Sequence, residues 1–271
     1  MFNRSLPVAR FLLIVSIGLA ACGPARVPLA KTEMRADSLR YVIGRSSPMT
    51  GVLLVPRDSA TGVSVTVPYA AGLREGKAEG RHRNGTRAFE ETWQGGRREG
   101  LRQEWDSAGR LSRTEHFLKG EREGLMQDFA PDGAVILERP MHAGQQDGVV
   151  KTRYPDGKQR SEATYRSGQL QGVMTLWYPD GQVKYEGSFD SGKPNGIVNE
   201  WYENGKPKSR TTWKAGVAEG PFTRWYDNGQ KQAEGVYRES KQVNTRHWDR
   251  NGKRLTHPEV PMSPAMPHPP S

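Results

Sequence analysis

The residues of this chain that could do chemistry are carboxylates that recur at a fixed interval. Asp132, Asp156 and Asp180 are evenly spaced along the sequence, and each directly precedes a glycine. Such a ladder could hold Ca²⁺, which takes oxygen ligands, but Asn204 and Asn228 continue the series without the charge, and a hard-cation site would resist that replacement. Asp or Asn before Gly is also typical of tight turns, where the side chain hydrogen-bonds the nearby backbone. We therefore interpret the series as turn residues.

No other motif points to catalysis or to a bound metal. The six histidines share no metal-ligand spacing, and the chain has one cysteine. Gly-x-Ser-x-Gly, phosphate-loop and His-Glu-x-x-His motifs are absent from the sequence. We predict no catalytic, cofactor-binding or metal-binding residues, and an envelope enzyme is the last of the alternatives.

The carboxylates belong to a repeat of about 24 residues that organises most of the chain. Glycines and large apolar residues keep the same period over seven cycles, which identifies a repeat protein. An aromatic column runs from Tyr69 to Tyr237. A second column is interrupted by Arg81 and Arg153 and contains Trp105, Phe129, Trp177, Trp201 and Trp225. The structural glycine positions are Gly100, Gly124, Gly148, Gly172, Gly196 and Gly220 in one series, and Gly109, Gly133, Gly157, Gly181, Gly205 and Gly229 in another.

Each repeat is predicted to be a β-hairpin. In Tyr178-Pro179-Asp180-Gly181, proline suits a type I turn and glycine supplies the positive φ of a three-residue loop with a bulge. A second turn is predicted over Gly-x-x-x-Gly, as in 192–196. The runs between the turns are short and alternate, so that Val183, Tyr185 and Phe189 are expected on one face.

The pattern aromatic-x-x-Gly-x-x-x-Gly-x-x-x-x-Trp-Tyr-x-(Asp/Asn)-Gly resembles the MORN repeat. The variant is that of bacterial repeat proteins labelled YwqK-type antitoxin components. The resemblance covers roughly residues 69–255, and it implies an elongated β-hairpin array used for binding. The label itself is a weak indication of function, because repeats are scaffolds that carry many functions.

The tryptophan–tyrosine pairs are the feature that most suggests a ligand surface. Trp177-Tyr178 and Trp201-Tyr202 are adjacent, so within a strand their rings would point to opposite faces. Packing of both columns is the favoured interpretation, and an exposed aromatic binding strip is the alternative. Lys and Arg interleave with these aromatics, and the net charge is +10. This composition suits an anionic partner.

The N-terminus has the features of a bacterial lipoprotein signal. Arg4 and Arg10 precede an apolar run over 11–19, which is followed by Ala20-Ala21-Cys22. The motif resembles the lipobox, so we expect cleavage before Cys22 and lipid attachment to it, for which two or more acyl chains anchor stably. Gly23 and Pro24 follow, and the sorting rule for such lipoproteins then favours the outer membrane.

The predicted organisation is all-β. It comprises a lipoprotein signal peptide (1–21), a tether (22–50), an N-terminal capping hairpin (51–68), about eight MORN-like repeats (69–255) and a proline-rich disordered tail (256–271). Both ends of the array look capped or degenerate, and only 34% of the residues are hydrophobic. These features favour an elongated, open antiparallel meander over a barrel or a sandwich.

The expected function is binding without catalysis by an exported, lipid-anchored scaffold in the cell envelope. The expected partners are the membrane, through Cys22, and a protein or an anionic envelope component. Nucleic acid is ranked lower because export would place the chain where nucleic acid is scarce. An antitoxin or immunity-like protein that neutralises a toxin is the first alternative.

Overall fold

A computed structural model describes residues 23–256, and almost all of its regular structure is β. The short runs of β-branched and aromatic residues between glycine turns form strands, as their composition predicts. A single 3₁₀ turn covers Leu29–Lys31. The strands are β1 (Arg26–Pro28), β2 (Thr32–Met34), β3 (Arg40–Val42), β4 (Gly51–Val55), β5 (Ser64–Ala70), β6 (Leu73–Arg74), β7 (Gly76–Arg81), β8 (Arg87–Gln94), β9 (Arg97–Arg98), β10 (Gly100–Trp105), β11 (Leu111–Leu118), β12 (Glu121–Arg122), β13 (Gly124–Phe129), β14 (Val135–His142), β15 (Gln145–Gln146), β16 (Gly148–Arg153), β17 (Gln159–Arg166), β18 (Gln169–Trp177), β19 (Val183–Asp190), β20 (Lys193–Trp201), β21 (Pro207–Lys214), β22 (Val217–Trp225), β23 (Lys231–Arg238), β24 (Lys241–Trp248) and β25 (Arg254–Leu255).

Successive strands pair antiparallel in one long sheet. The pairing runs from β4–β5 at one end to β24–β25 at the other, so that each strand pairs with the strands before and after it in sequence. The two-residue strands β6, β9, β12 and β15 are the first halves of bent strands that continue as β7, β10, β13 and β16. The fold class predicted from the sequence, an elongated meander of hairpins, is confirmed. One detail differs, because β1 pairs with β4 in parallel and makes the sheet mixed.

The first turn of each repeat has the predicted form. The Gly181 amide donates to the Tyr178 carbonyl over 2.9 Å, and the Tyr178 amide donates to the Gln182 carbonyl over 2.8 Å. Gly181 has a φ of 94°, which a residue with a Cβ adopts only at a cost of about 1–2 kcal/mol. Its space is otherwise open, so the backbone conformation alone selects glycine here.

The second turn lies elsewhere than predicted. Ser191 and Gly192 have φ of 51° and 77°, and Asp190 pairs with Lys193 across them. The turn is therefore a two-residue type I′ loop, whose twist matches that of the flanking strands. The assignment to Gly-x-x-x-Gly was wrong, because Gly196 lies inside β20, opposite Trp213. Gly187 pairs with Val198 and Phe189 pairs with Pro194, so β20 has extra residues at this point. These residues include Gly196 and form a bulge in β20.

Residues 23–50, expected to be a tether, are ordered over much of their length. β1 adds to the edge of the sheet beside β4, and β2 and β3 form a separate antiparallel pair. The Gly72 amide donates to the Met49 carbonyl over 2.8 Å, and the Arg40 amide donates to the Gly72 carbonyl over 3.0 Å. In later repeats the equivalent amide, for example that of Gly192, donates to the preceding repeat, at Leu170. The segment thus occupies the place of a preceding repeat.

The eighth repeat keeps its hairpin although its glycines are replaced. Ser240 and Asn244 have φ of 64° and 53°, the conformation of the glycines that they replace. The Ser240 amide donates to the Ala218 carbonyl over 3.0 Å, as glycine amides do in the other repeats. The degeneracy noted in the sequence therefore leaves the strand pairing of β23 with β24 in place.

Side chains of the sheet itself form the core on one face, which we call the inner face. An N-terminal cluster includes Leu53, Tyr69 and Trp93, and Val42 and Leu29 of the preceding segment pack against it. A C-terminal cluster of buried residues spans several consecutive repeats. It consists of Ala163, Leu170, Met174, Tyr185, Phe189, Val198, Trp213, Ala218, Phe222, Ala233 and Tyr237.

Candidate binding surface

The opposite side of the sheet, the outer face, carries the other half of the strand residues. Met174 is fully buried in the core, while its neighbour Val173 is 51% exposed. Because successive residues of a strand point to opposite faces, Val173 and its register partner Ser188 define the outer face. The side chains of this face are available to a partner.

An aliphatic residue stands at the same outer position in five consecutive repeats. These side chains are 38–51% exposed, which is unusual for a row of large apolar residues. Each directly follows a glycine of the Gly100 series, so the signal was visible in the sequence but was not recognised there. We call these residues the aliphatic row: Leu101, Leu125, Val149, Val173 and Ile197. Exposed Pro221 continues it in the next repeat.

Register partners join the row into a continuous strip. Across the hairpins, the row residues lie opposite His116, Pro140, Thr164, Ser188 and Thr212. These partners are small, β-branched or ring-shaped and carry no acidic group. The strip is therefore apolar to weakly polar along five repeats.

The tryptophan column lies on the outer face as well. Arg81, which interrupts the column, forms an ion pair of 3.3 Å with Glu79. Glu79 lies between the buried inner-face residues Ala78 and Gly80, so the Glu79 side chain and its partner are on the outer face. Arg153 likewise reaches Glu138 over 3.7 Å. The column positions Trp105, Phe129, Trp177, Trp201 and Trp225 are half-buried.

A bulge explains this placement and corrects one expectation. Leu176 lies opposite Tyr185 and Trp177 opposite Val183, which leaves Lys184 as an extra residue. The bulge breaks the alternation between Val183 and Tyr185. The shared face predicted for Val183, Tyr185 and Phe189 therefore holds for the two aromatics, both buried, and does not extend across the bulge.

The tyrosine of each tryptophan–tyrosine pair connects neighbouring repeats. Tyr178 follows the end of β18, and its hydroxyl donates to the Trp201 carbonyl over 2.8 Å. The pair is therefore not two strand residues on opposite faces, as the sequence suggested. The same bond is made by Tyr154 to Trp177, Tyr202 to Trp225 and Tyr226 to Trp248, at 2.7–3.0 Å.

A second ladder connects the repeats at the type I′ turns. The Glu99 carboxylate accepts from the Lys119 amide over 2.8 Å, and the Glu219 carboxylate accepts from the Glu239 amide over 2.8 Å. Each bond joins residues 20 apart, so the polar side chain before the bulge glycine holds the turn of the next repeat. The two ladders fix the spacing of the rows on the outer face.

The recurring carboxylates act within their own turns. Asp180 Oδ1 accepts from the Gln182 amide over 2.9 Å, and Asn204 Oδ1 accepts from the Lys206 amide over 3.1 Å. Asp132 and Asp156 make the same bond. Between residues 23 and 256, no group of three or more His, Cys, Asp or Glu side chains is arranged to hold a metal ion.

The inner face between β8 and β12 carries a buried ionic network among its apolar core residues. Glu91, whose side chain is 8% exposed, accepts from Arg98 over 2.9 Å and from Arg102. It also accepts from the Trp93 indole over 2.9 Å. Glu115 continues the network by accepting from Arg122 over 2.7 Å.

The network keeps Arg102 charged. Burial alone would lower the pKa of this guanidinium, but the hydrogen bond to Glu104 and the charge of Glu91 outweigh burial and raise the pKa. The Arg98 guanidinium also lies over the rings of Trp93 and Phe117, at 5.1 and 5.4 Å. These groups are occupied with one another, so we regard the network as structural.

Cys22, the predicted lipid attachment site, lies outside the described residues, as do the predicted signal peptide and residues 257–271. In the part of the chain that the structure covers, there is no helix with the length and hydrophobicity to cross a membrane.

Comparison with known proteins identifies the repeat. No curated protein matches the chain. The solved structures that match include "Crystal Structure of TcdB2-TccC3-Cdc42", with 14% identity and a TM-score of 0.15, and "Crystal Structure of TcdB2-TccC3", with 14% identity and a TM-score of 0.14. Each match covers 76% of this chain, which spans only 13% and 14% of those two chains.

Among protein families, the one described as MORN repeat variant matches residues 146–167, 170–191, 194–215 and 218–239. The starts of these segments are evenly spaced at the period of the hairpins, and the segments contain Val149, Val173 and Ile197 of the aliphatic row. Residues 146–239 therefore carry four tandem matches to the MORN repeat variant, and this part of the chain is a repeat array.

Proposed function

We propose that this protein is an exported, lipid-anchored and non-catalytic scaffold that binds a partner protein on its outer face. The aliphatic row carries the proposal. Five exposed aliphatic side chains in register over five repeats form a long apolar strip, and such a surface is typical of protein interaction sites. The inter-repeat ladders hold the strip in a fixed geometry, which favours binding because little order is lost on association.

Positive charge beside the row gives the partner a preferred sign. Three exposed basic residues lie at strand ends beside the type I′ turns. They are Lys193 at the start of β20, Lys214 at the end of β21 and Arg238 at the end of β23. With a formal net charge of +10 for the chain, these groups favour an acidic protein or an anionic envelope component.

The first prediction concerns the row. Leu101→Glu/Leu125→Glu should weaken partner binding about tenfold or more, because apolar burial is lost and two carboxylates would have to be desolvated. Partners would be captured from membrane extracts with the full chain and quantified for each variant.

The matched control is Gln94→Glu/Ser107→Glu, which adds two carboxylates at exposed positions of the neighbouring turns. It should leave recovery unchanged. Equal loss with both variants would mean that charge, and not the row, determines binding, and would contradict the proposed surface.

Export and anchoring are supported by the sequence around Cys22. A basic start, an apolar run and Leu19-Ala20-Ala21-Cys22 form the pattern of a lipoprotein signal, and Cys22 is the single cysteine. In the second prediction, labelled palmitate enters the wild-type protein and is absent from Cys22→Ser. Labelling of both to the same extent would contradict lipidation, whatever the outcome at the row.

An antitoxin or immunity-like role is the alternative that shares this architecture. The resemblance to repeat proteins that carry the antitoxin label supports it, together with a binding face that has no catalytic group assigned to it. A toxin-like reading frame next to this one would favour that role, and co-expression should then relieve toxicity. Hydrolase or transferase activity of the purified chain would favour the enzyme alternative.

A further inference from the structure

We propose that the proline-rich segment 257–271 docks on the outer face of its own chain, as a polyproline II helix lying along the aliphatic row of the last repeats. The segment follows directly on the described residues. The docked segment would cover only the part of the row in the last repeats, whether or not the row also binds another protein.

The spacing of the prolines matches the spacing of the row. Pro258, Pro261, Pro264 and Pro267 recur every third residue. A polyproline II helix has three residues per turn and rises ~3.1 Å per residue, so one face repeats every ~9.3 Å. Row residues are separated by two strands, which is ~9.6 Å at the usual strand spacing of ~4.8 Å. Over three intervals the two periods differ by only about 1 Å.

The sequence of the tail favours the polyproline II conformation. Each proline fixes φ within the polyproline II range and biases the preceding residue towards extended conformations. Part of the conformational entropy is therefore already lost in the free segment, which is why proline-rich segments bind apolar grooves at low entropic cost. Between the prolines, Val260, Met262 and Met266 add apolar surface.

The exit of the chain directs the tail to the row. Strand β25 runs antiparallel to β24, with Arg254 opposite Trp248 and Leu255 opposite His247. The described chain ends one residue after Leu255, on a course that leads along β24 towards the level of Val243. Val243 lies level with Pro221, because both pair with Val236. The described residues therefore end a few residues short of the level of the row, and their course leads towards it.

The tail reaches far enough to cover the row in the last repeats. Its 15 residues span about 46 Å as polyproline II. From β24, Pro221 is two strands away, Ile197 four and Val173 six, which places Val173 at about 29 Å. Leu101 is twelve strands away, at about 58 Å, and is out of reach.

The two faces of the last repeats differ in the space that they offer. On the inner face, Phe222 and Tyr237 are buried against each other with ring centroids 4.5 Å apart, so these rings fill the core of the last hairpins. On the outer face, Pro221 and Ile197 are exposed, as are the flanking Lys214, Arg238 and Lys241. The tail contains Glu259 and no lysine or arginine, so its charge is complementary to that flank.

The test measures how fast single thiols react along the row. In the full chain carrying Cys22→Ser, one of Ile197→Cys, Val173→Cys or Leu101→Cys provides the sole thiol, and its maleimide labelling rate is measured in mild detergent. Labelling at 197 and 173 should be about tenfold slower than at 101, which corresponds to ~1.4 kcal/mol of docking free energy.

A control tail keeps the composition and shifts the period. Pro261→Met/Met262→Pro with Pro264→Ala/Ala265→Pro moves two prolines off the three-residue spacing. With this tail, all three positions should be labelled at the same rate. Equal rates with the native tail, or protection that persists with the shifted tail, would overturn the proposal. Protection that disappears on dilution would assign the docked tail to a second copy and overturn the intramolecular contact.

Discussion

Replacing Glu91 with glutamine should lower the local stability of β8 and β10 by about 3 kcal/mol, because removing one partner of a buried ion pair costs ~3–5 kcal/mol. Glutamine can still accept from the Trp93 indole, which places the loss at the lower end of that range. Arg102 would then remain mostly buried with one of its three carboxylate contacts removed. Long repeat arrays can unfold in parts. The measurement is therefore hydrogen exchange of the β8 and β10 amides, which reports local opening.

Glu162→Gln is the matched control. Glu162 forms an ion pair of 3.7 Å with Lys151, and both side chains are 42% exposed. Exposed pairs contribute only about 0–1 kcal/mol, so exchange in β16 and β17 should change little. A similar loss of local stability in both variants would show that the network around Glu91 stabilises the fold no more than an exposed ion pair does, and would contradict its structural role.

Replacing Gly72 with alanine should release the N-terminal segment from the sheet. Gly72 has a φ of +80°, and a Cβ there would lie 2.8 Å from Leu39 Cβ and 3.2 Å from the Arg40 backbone nitrogen. The left-handed conformation and the clash together should cost about 2–4 kcal/mol. The readout is hydrogen exchange of the Arg40 and Met49 amides. The Arg40 amide is bonded to Gly72, and the Met49 amide is bonded to Arg40.

Gly192 provides the comparison within the same chain. It occupies the same turn position in a later repeat and its φ is +77°, but a Cβ there would meet nothing within 4 Å. Gly192→Ala should therefore cost only the conformational part, about 1–2 kcal/mol, with no effect on the N-terminal segment. If both variants left the Arg40 amide equally protected, the contact of residues 39–49 with the first turn would not be what holds that segment.

The repeat length, the strand character and the first turn were predictable because they depend on local rules. Proline, aspartate or asparagine, and glycine at fixed offsets specify a turn through φ preferences and short-range hydrogen bonds. Alternating residues between turns then specify strands, and the constant period of the repeat specifies that the hairpins stack. Tyr185 and Phe189 could be placed on the core side from this alternation alone.

The face of the sheet on which each residue near the first turn lies could not be predicted, because a bulge shifts the alternation of side chains. Nothing in residues 183–185 indicates that Lys184 is left without a register partner. The same limitation displaced the second turn, where Ser191 adopts a positive φ without being glycine or asparagine. Strand register decides both features, and register depends on the neighbouring hairpin.

The sequence by itself determined the hairpin repeat, its number of cycles and the glycines of its first turn, since each follows from residues a few positions apart. Only the tertiary structure decided which contacts join neighbouring repeats. The tyrosine hydroxyl of one repeat donates to a carbonyl 22 or 23 residues later, and Glu91 of β8 accepts from Arg98 and Arg102 of the next bent strand. The period of the aliphatic row is visible in the sequence, but its exposure on one face is decided by the alignment of the strands. Contacts between repeats depend on how hairpins are registered and twisted against each other, and no local rule contains that information.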